Sequence, residues 1–502
     1  MEIKKILIAN RGEIALRVER ACRERGIATV AVYSDVDRAG LHVLEADEAY
    51  RLGAAAATES YLRGDKILEI AKQTGADAIH PGYGFLSENA DFADACERAG
   101  VKFIGPPASA MRALGSKTRA RQAADAAGMP RTPGSTTGLA SVEEALEVAE
   151  KIGYPVMLKA AAGGGGKGMR AIAKPEELPG AFESAKSEAE RAFGSGEVYL
   201  EKLIEQPRHV EIQVLADEHG NCLYLGEREC SVQRRHQKVI EEAPSAVVGA
   251  ELRRRMGEAA VRLAQTAGYT NAGTVEFLLD KDGNFYFLEM NTRLQVEHPV
   301  TELVTGLDLV HLQIDVAEGK PLALRQEDVT LRGHAIECRV YAEDPENQFF
   351  PSPGKITRLL QPGGPGIRED CGVYEGWTVP MDYDPMLSKL IAYAPTREMA
   401  IARLLRALDE YVIGGIRSNL GLFRRILQDE DFRRAAIDTG YLDRLLSSGP
   451  ARECEREPEV KLAAALGAAV LETRRTVSTN GASGGGPAER AWKLAARREA
   501  TR

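Results

Sequence analysis

A chain of 502 residues with 44% hydrophobic and 28% charged side chains has the composition of a water-soluble globular protein, and at roughly 150 residues per domain it allows two to four domains. A formal net charge of −9 gives no general attraction to nucleic acid or to an anionic membrane, and no apolar run approaches the ~18 residues of a membrane span. The opening MEIKKILIAN runs straight into a strand-like segment, so no cleavable signal peptide is expected, and the seven cysteines form no CxxC pair, which favours a reducing, cytoplasmic setting.

Residues 1–115 alternate apolar, β-branched runs with helical periodicity. Lys5–Ala9, Ile27–Tyr33, Ala76–His80 and Gly100–Ile104 read as strands; Gly12–Arg25 and Asp65–Thr74 read as helices. Such alternation predicts a doubly wound parallel sheet, an α/β class. Dinucleotide binding is excluded, because Asn10-Arg11-Gly12-Glu13 stands where a G-x-G-x-x-G would follow the first strand. Residues 116–130 read as a helix ending at Gly128-Met129-Pro130, and about 131–203 form a second α/β unit. Residues 204–330 are strand-rich, then helical. Residues 331–447 mix strands, Pro/Gly turns and two closing helices, an α+β pattern. In the tail, Glu457–Arg474 has helical character and Thr476–Pro487 that of a flexible linker.

Strand-like Tyr154–Lys159 and Met169–Ala173 flank a glycine run at 163–168, with Lys159 and Lys167 beside it. Glycines allow backbone N–H groups to approach phosphate closely, and lysines neutralise its charge, so a hairpin with a phosphate-covering loop is expected. No G-K-[ST] closes it, so it is not a Walker loop. Gly115-Ser116-Lys117-Thr118, taken alone, reads as a solvated lysine at a helix start.

Thr274–Leu279 and Phe285–Met290 read as strands joined through Asp282-Gly283. A hairpin symmetric about that dipeptide sets Phe285 against Asp280 and Glu289 against Glu276. Opposed carboxylates destabilise one another and call for a cation; oxygen-only ligands suit Mg²⁺ or Mn²⁺, and Asn291 shares the face of Glu289. A solvated polar face would give the same alternation. In Asn291-Thr-Arg293-Leu-Gln295-Val-Glu297-His298-Pro299, an extended chain puts Arg293, Gln295 and Glu297 on one side, a cation beside a carboxylate that suits an anionic substrate and a base. Glu201-Lys202, ending a strand before Ile204, reads as a nucleotide-edge contact. The polar run Cys230 to Lys238 is expected to follow a strand, with Cys230 structural.

These motifs together resemble the ATP-grasp superfamily, and within it biotin carboxylases. The resemblance covers about 1–447 and rests on ANRGEIA (9–15), HPGYGFLSEN (80–89), KAAAGGGGKGMR (159–170), EKLIEQPRHVEIQ (201–213), ECSVQRRHQKVIEEAP (229–244), EMNTRLQVEHPVTE (289–302), ECRVYAEDP (337–345) and DYDPMLSKL (382–390). It implies an ATP-grasp fold with a Rossmann-like domain at 1–115, an ATP-grasp domain at 116–330 whose mobile glycine-loop lid spans 131–203, a C-terminal domain at 331–447 and a tail at 448–502. By resemblance, Lys117, Lys159, Gly163, Gly164, Gly165, Gly166, Lys167, Gly168, Glu201, Lys202, Ile204, His209, Gln233 and His236 bind ATP. Glu276, Glu289 and Asn291 hold two magnesium or manganese ions. Lys238, Arg293, Gln295 and Val296 position bicarbonate, Glu297 is the base and Arg339 stabilises the biotin enolate. Tyr83, Asp382 and Asp384 line or support the biotin site. The chemistry implied is activation of bicarbonate to carboxyphosphate, then carboxylation of biotin.

This sequence departs from the family pattern at Ala162 and Lys167, and has Thr439-Gly440 where some members carry a nucleotide-contacting histidine. The tail has no Met-Lys-Met, so the biotin carboxyl carrier and the carboxyltransferase are expected on other chains, and a homodimer is expected by resemblance. The final acceptor, an acyl-CoA or pyruvate, stays open. A carboxylate–amine ligase of the same superfamily, or a catalytically dead regulatory subunit, are the rival readings; the first has no use for the Lys238, Arg293, Glu297 and Arg339 set.

Overall fold

The first five strands are short apolar runs, and short apolar runs separated by helices pair in parallel. In the computed structural model, which describes residues 2–115, 117–135, 138–160, 169–193 and 196–449, β1 (Lys5–Ile8), β2 (Ala28–Ser34), β3 (Glu48–Gly53), β4 (Ala78–His80) and β5 (Lys102–Phe103) form a parallel sheet in the order β3-β2-β1-β4-β5. The edge strand β3 is absent from the sequence reading, since EAYRLG alternates polar and apolar residues without a clean run. Gly12, at φ +66°, makes the turn into α1 (Gly12–Glu24), and Asn10 Nδ2 donates to the carbonyls of Pro81 and Tyr83, tying that turn to the loop after β4.

The predicted helix at 116–130 is shorter, Lys117–Ala126. Beyond it, β6 (Val156–Ala160), β7 (Met169–Ile172) and β8 (Val198–Lys202) form a separate antiparallel sheet, order β7-β6-β8. It packs against α2 (Val142–Ile152) and α3 (Leu178–Phe193) around its own apolar cluster, including Val156, Leu158, Phe182 and Leu200. Strands β6 and β7 pair as the expected hairpin, with Lys159 opposite Met169. Gly163 to Gly168, the Lys117 side chain and the two predicted tail segments lie outside the described residues.

The largest sheet has eight strands: β9 (Arg208–Ala216), β10 (Cys222–Arg234), β11 (Gln237–Ala243), β12 (Asn271–Leu279), β13 (Phe285–Asn291), β14 (His334–Tyr341), β15 (Ile367–Cys371) and β16 (Met386–Ala394), in the order β13-β12-β9-β10-β11-β14-β16-β15. Its two faces differ because side chains alternate along each strand. Val210, Ile212 and Val214 of β9 and Val275, Phe277 and Leu279 of β12 pack with Met256, Ala260 and Leu263 of α4 (Ala250–Thr266). The opposite face carries His209, Glu211, Gln213, Thr274 and Glu276, all buried. Helix α5 (His298–Thr305) crosses this polar face, with Val300 and Val304 against Ala243, Ala335 and Ile391.

Four helical segments, Arg397–Glu410, Leu420–Gln428, Glu430–Arg433 and Tyr441–Ser447, replace the two closing helices expected. Among the described residues no helix is long and apolar enough to cross a membrane.

Candidate functional site

The β12–β13 hairpin opposes Glu276 and Glu289, as the sequence suggests, but by a different register. The turn is longer than a two-residue one: Asp280 N–H donates to the Asn284 carbonyl, and Asp280 Oδ1 accepts from the N–H groups of Asp282 and Asn284. Phe285 therefore pairs with Leu279, not Asp280, and an irregularity between Glu276 and Phe277 shifts the register by one, restoring the Glu276–Glu289 pair. Glu276 is buried, whereas Glu289 is exposed.

The cation that balances Glu276 is a side chain. Lys238 Nζ donates to Glu276 Oε1 at 2.8 Å, to Glu211 Oε2 at 2.5 Å and to Glu297 Oε1 at 2.6 Å. His209 Nε2 lies 2.9 Å from Glu276 Oε2, and Asn291 Nδ2 donates to Glu276 Oε1 at 2.9 Å. Burial works to raise the Glu276 carboxyl, but Lys238 and His209 outweigh it and hold it far below its ordinary value. Burial alone would lower His209; the charge of Glu276 raises it instead.

Lys238 and its neighbours stand on the β10–β11 hairpin. The polar run does not follow a strand, as expected, but forms one: Cys230–Arg234 close β10, Arg235 and His236 make the turn at φ +49° and +66°, and Gln233 pairs with Lys238. His236 is exposed at that turn, and Cys230 is fully buried, its thiol pushed up by burial, as suits a structural role.

Arg293, Gln295 and Glu297 do not share one side of an extended chain. The backbone turns after Asn291, and Glu297 occupies the N-cap position of α5. Pro299 in the first turn of that helix explains the break, since proline sits readily at a helix start. Arg293 Nη1 donates to Gln295 Oε1 at 2.9 Å, but its charge goes to Glu88, Nε to Oε2 at 3.0 Å. The cations beside Glu297 are Lys238 and Arg339, the latter donating from Nη2 to Glu297 Oε2 at 2.8 Å and from Nε to Glu241 Oε1 at 2.6 Å. Burial raises Glu297, yet Lys238, Arg339 and Arg228 together hold it well below the carboxylate range.

Behind Glu211 stands Arg228, fully buried, which donates to Glu211, Gln213, Thr274 and Thr301. The buried face thus matches Lys238, Arg228, Arg339 and His209 against Glu211, Glu276, Glu297 and Glu241. Burying charges is costly unless each is paired and hydrogen-bonded; every member of this network has an opposite charge beside it, and Glu241 Oε2 is left without a hydrogen-bond partner. Lys389, also fully buried, donates to the Val296 carbonyl at 2.9 Å and lies 3.3 Å from Glu13. Its Nζ stands 5.8 Å from the centre of the Tyr83 ring.

A second cluster stands on the three-stranded sheet. Lys159 Nζ reaches Glu201 Oε2 at 2.5 Å and Arg121 reaches Glu201 Oε1 at 2.9 Å, while Lys202 donates to the carbonyls of Gly153 and Tyr154. Ile204 follows β8, half-buried. Asp382 and Asp384 lie on an exposed turn, and among the described residues neither bonds to the carboxylate network; Asp384 accepts from Met386 N–H.

The donor set of Glu276, Glu289 and Asn291, two carboxylates and an amide on one hairpin, fits a hard divalent cation. Arg228, Glu211, Glu241, Glu337, Lys389 and Glu13, around this site, are among the buried ionisable groups that the sequence does not single out. Glu211 is two residues from His209 and Glu337 two from Arg339, so strand periodicity was the signal available.

The comparisons with known proteins agree in extent. Residues 2–111 match the biotin carboxylase N-terminal domain, 116–325 the carbamoyl-phosphate synthase L chain ATP-binding domain, and 337–444 the biotin carboxylase C-terminal domain. Biotin carboxylase 1 of Bacillus subtilis is 54% identical over 442 residues, covering 88% of this chain and 98% of the relative. Biotin carboxylase of a Nostoc species is 53% identical over 445 residues, 89% of this chain and 100% of the relative. The biotin carboxylase domain dimer of Hydrogenobacter thermophilus 2-oxoglutarate carboxylase, solved with MgADP, ADP and bicarbonate, superimposes with a TM-score of 0.85 at 47% identity, covering 90% of this chain and 100% of that one. The chain belongs to the biotin carboxylase family of ATP-dependent ligases, and its fold is the ATP-grasp fold of that family.

Proposed function

We propose that the buried group Lys238–Glu297–Arg339 is where bicarbonate is activated and biotin carboxylated, at the expense of ATP. The observation that carries this is Glu297 itself, a carboxylate at a helix N-cap held between two cations from β11 and β14. In that state it is a poor base. Bicarbonate, an anion, competes for Lys238 and Arg339, and each contact it takes from Glu297 raises the basicity of the carboxylate. Glu297 then accepts the bicarbonate proton, and the resulting dianion attacks the γ-phosphate, displacing ADP and giving carboxyphosphate. Its breakdown yields CO2 and phosphate, the phosphate takes the ureido N–H proton of biotin, and the enolate so formed captures the CO2. Arg339, released from Glu297, stays anchored through Glu241 and faces the oxyanion of the biotin ureido group.

Lys159, Glu201, Lys202, Ile204, His209, Gln233 and His236, with Lys117 and the glycine run, are the proposed nucleotide contacts. Glu276, Glu289 and Asn291 would hold magnesium or manganese, which neutralises charge on the phosphates. Arg293, Gln295 and Val296 would frame bicarbonate, and Tyr83 and Asp382 would flank biotin. The 131–203 segment, with its separate core, is proposed as the lid.

The biotin is proposed to arrive on a separate carrier protein and to leave for a carboxyltransferase chain. A homodimer in the cytoplasm is proposed, as the Hydrogenobacter domain is a dimer. The test is ATP cleavage and carboxybiotin formation on free biotin. Cleavage that requires both bicarbonate and biotin supports the reading; cleavage indifferent to both favours a different ATP-grasp ligase. Sedimentation as a concentration-independent monomer would refute the dimer.

A further inference from the structure

Strand β14 puts a second ionisable group on the face that carries Arg339. Glu337 is fully buried and pairs in register with Glu241 of β11 on one side and Ile391 of β16 on the other. The neighbouring pair Ala335–Ala243, together with Ile391, packs under Val300 and Val304 of α5, so aliphatic side chains roof the carboxyl group. Among the described residues, both oxygens of Glu337 and Oε2 of Glu241 are buried without a hydrogen-bond partner. Directly opposed residues of an antiparallel pair have Cβ atoms about 4.5–5.5 Å apart, so the two carboxyl groups are within reach of each other.

The cations nearby are committed elsewhere. From β16, Lys389 serves the Val296 carbonyl, Glu13 and Asp370. From β15, Arg368 serves Asp370 and Glu302. Arg339 serves Glu241 and Glu297, and Lys238 on β11 serves three other carboxylates. At the start of α5, His298 is kept neutral by burial. An ionised Glu337 would be attracted by Lys389 and Arg339, but both already serve other acceptors and neither donates a hydrogen bond to it, and burial outweighs their pull; a buried carboxylate without a hydrogen-bond partner neutralises instead.

We propose that Glu337 and Glu241 hold one proton between them, and that this acid pair is the positioning device that fixes Arg339 for the biotin half of the reaction. The proposal rests on the biotin carboxylase reading of Arg339. A proton on Glu337 that is donated to Glu241 Oε2 leaves Oε1 turned toward Arg339 Nε. The guanidinium then keeps its orientation when Glu297 turns to bicarbonate. Losing that proton puts a second negative charge beside Arg339 and draws it off the biotin side. Burial pushes Glu337 well above the ordinary carboxyl value, and it carries Glu241 up to about 7 against the opposing charge of Arg339.

The test uses the full chain in two arms. Infrared spectra of protein labelled with carboxyl-¹³C glutamate should show protonated-carboxyl C=O intensity at neutral pH, to which Glu13 also contributes, and the parent-minus-variant difference spectrum should contain a protonated-carboxyl band that Glu337→Gln has lost. No such band in the difference spectrum overturns the proposal. In steady state, carboxybiotin formed per ATP cleaved should fall at alkaline pH in the parent. In Glu337→Gln, which is neutral at every pH, that fall should move upward by more than about one pH unit. An unchanged profile overturns the positioning role. Should Glu337→Gln not fold, Glu241→Gln replaces it: the band must shift, because the acceptor of the proton has gone, and an unshifted band overturns the pair. A parent that cleaves ATP without carboxylating biotin removes the functional reading and leaves the infrared arm intact.

Discussion

Arg339 Nη2 donates to Glu297 Oε2 at 2.8 Å, so the cation proposed for biotin and the base proposed for bicarbonate form one buried ion pair. The two halves of the reaction are thereby coupled: whatever takes Glu297 from Arg339 also frees Arg339.

Arg339→Ser separates the halves. Glu297 keeps Lys238 at 2.6 Å, so bicarbonate-dependent ATP cleavage should remain measurable. Carboxybiotin formation should fall by ~10²–10³, the usual cost of losing one fixed electrostatic contact. Glu297→Ala should lose both activities. Parallel assays on free biotin check this, and normal carboxylation by Arg339→Ser would exclude its assignment.

Lys238 touches three buried carboxylates, Glu211, Glu276 and Glu297. Lys238→Met should therefore abolish ATP cleavage and also destabilise the fold, by about 3–5 kcal/mol as for other broken buried ion pairs. Calorimetry reads the second effect. An unchanged melting point would mean the three carboxylates find their charge balance elsewhere.

Glu276→Gln and Glu289→Gln should each cripple ATP cleavage at saturating magnesium, but they should differ in stability. Glu276 is the anion beneath His209 and one of the three that hold Lys238, so its loss leaves His209 uncompensated, weakens the hold on Lys238 and lowers the melting point. Glu289 is exposed, and its substitution should stay within about 0.5 kcal/mol. The expectation from an opposed pair alone, that removing either charge relieves repulsion, fails at Glu276 because Lys238 is already there.

Much of this was legible in the sequence. Strand and helix alternation located four of the five parallel strands, and the Asp282-Gly283 turn pointed to the Glu276–Glu289 pair. The register shift was not legible, because an irregularity in pairing leaves no local signature, and it happened to cancel the misjudged turn. The partners of Arg293 and Glu297 were not legible either. Period-2 reasoning assumed an extended chain, whereas Pro299 starts a helix; Lys238 and Arg339 reach Glu297 from strands distant in sequence. Glu211 and Glu337 lie inside motifs noticed for other residues, and only the three-dimensional face shows that they are buried.

Glu13 gives a pH prediction. Burial raises its carboxyl from 4.5 to about 7, against the pull of Lys389. A raised carboxyl adds stability that is fully present below its unfolded value and is lost as pH rises through about 7. The stability difference between parent and Glu13→Gln should therefore swing against the parent from pH 5 to pH 8, by up to ~3 kcal/mol, since a tenfold change in proton affinity is worth ~1.4 kcal/mol. Melting points of both proteins across that range test it; parallel curves would place the titration elsewhere.

The contact of Lys389 with the Val296 carbonyl bears on how the gene can be divided. Lys389 comes from β16, near the carboxyl-terminal side, and Glu13, 3.3 Å from it, from the first turn of α1. The turn bearing Glu297 is thus gripped by segments translated almost four hundred residues apart (Glu13 to Lys389). A ribosome that has emitted everything through α5 has made the base, Lys238 and Glu13, but not Arg339 or Lys389, which complete its hold. Activity should accordingly appear only after β16 has emerged, and two fragments divided between α5 and β14 should be inert singly and active only when they reassociate.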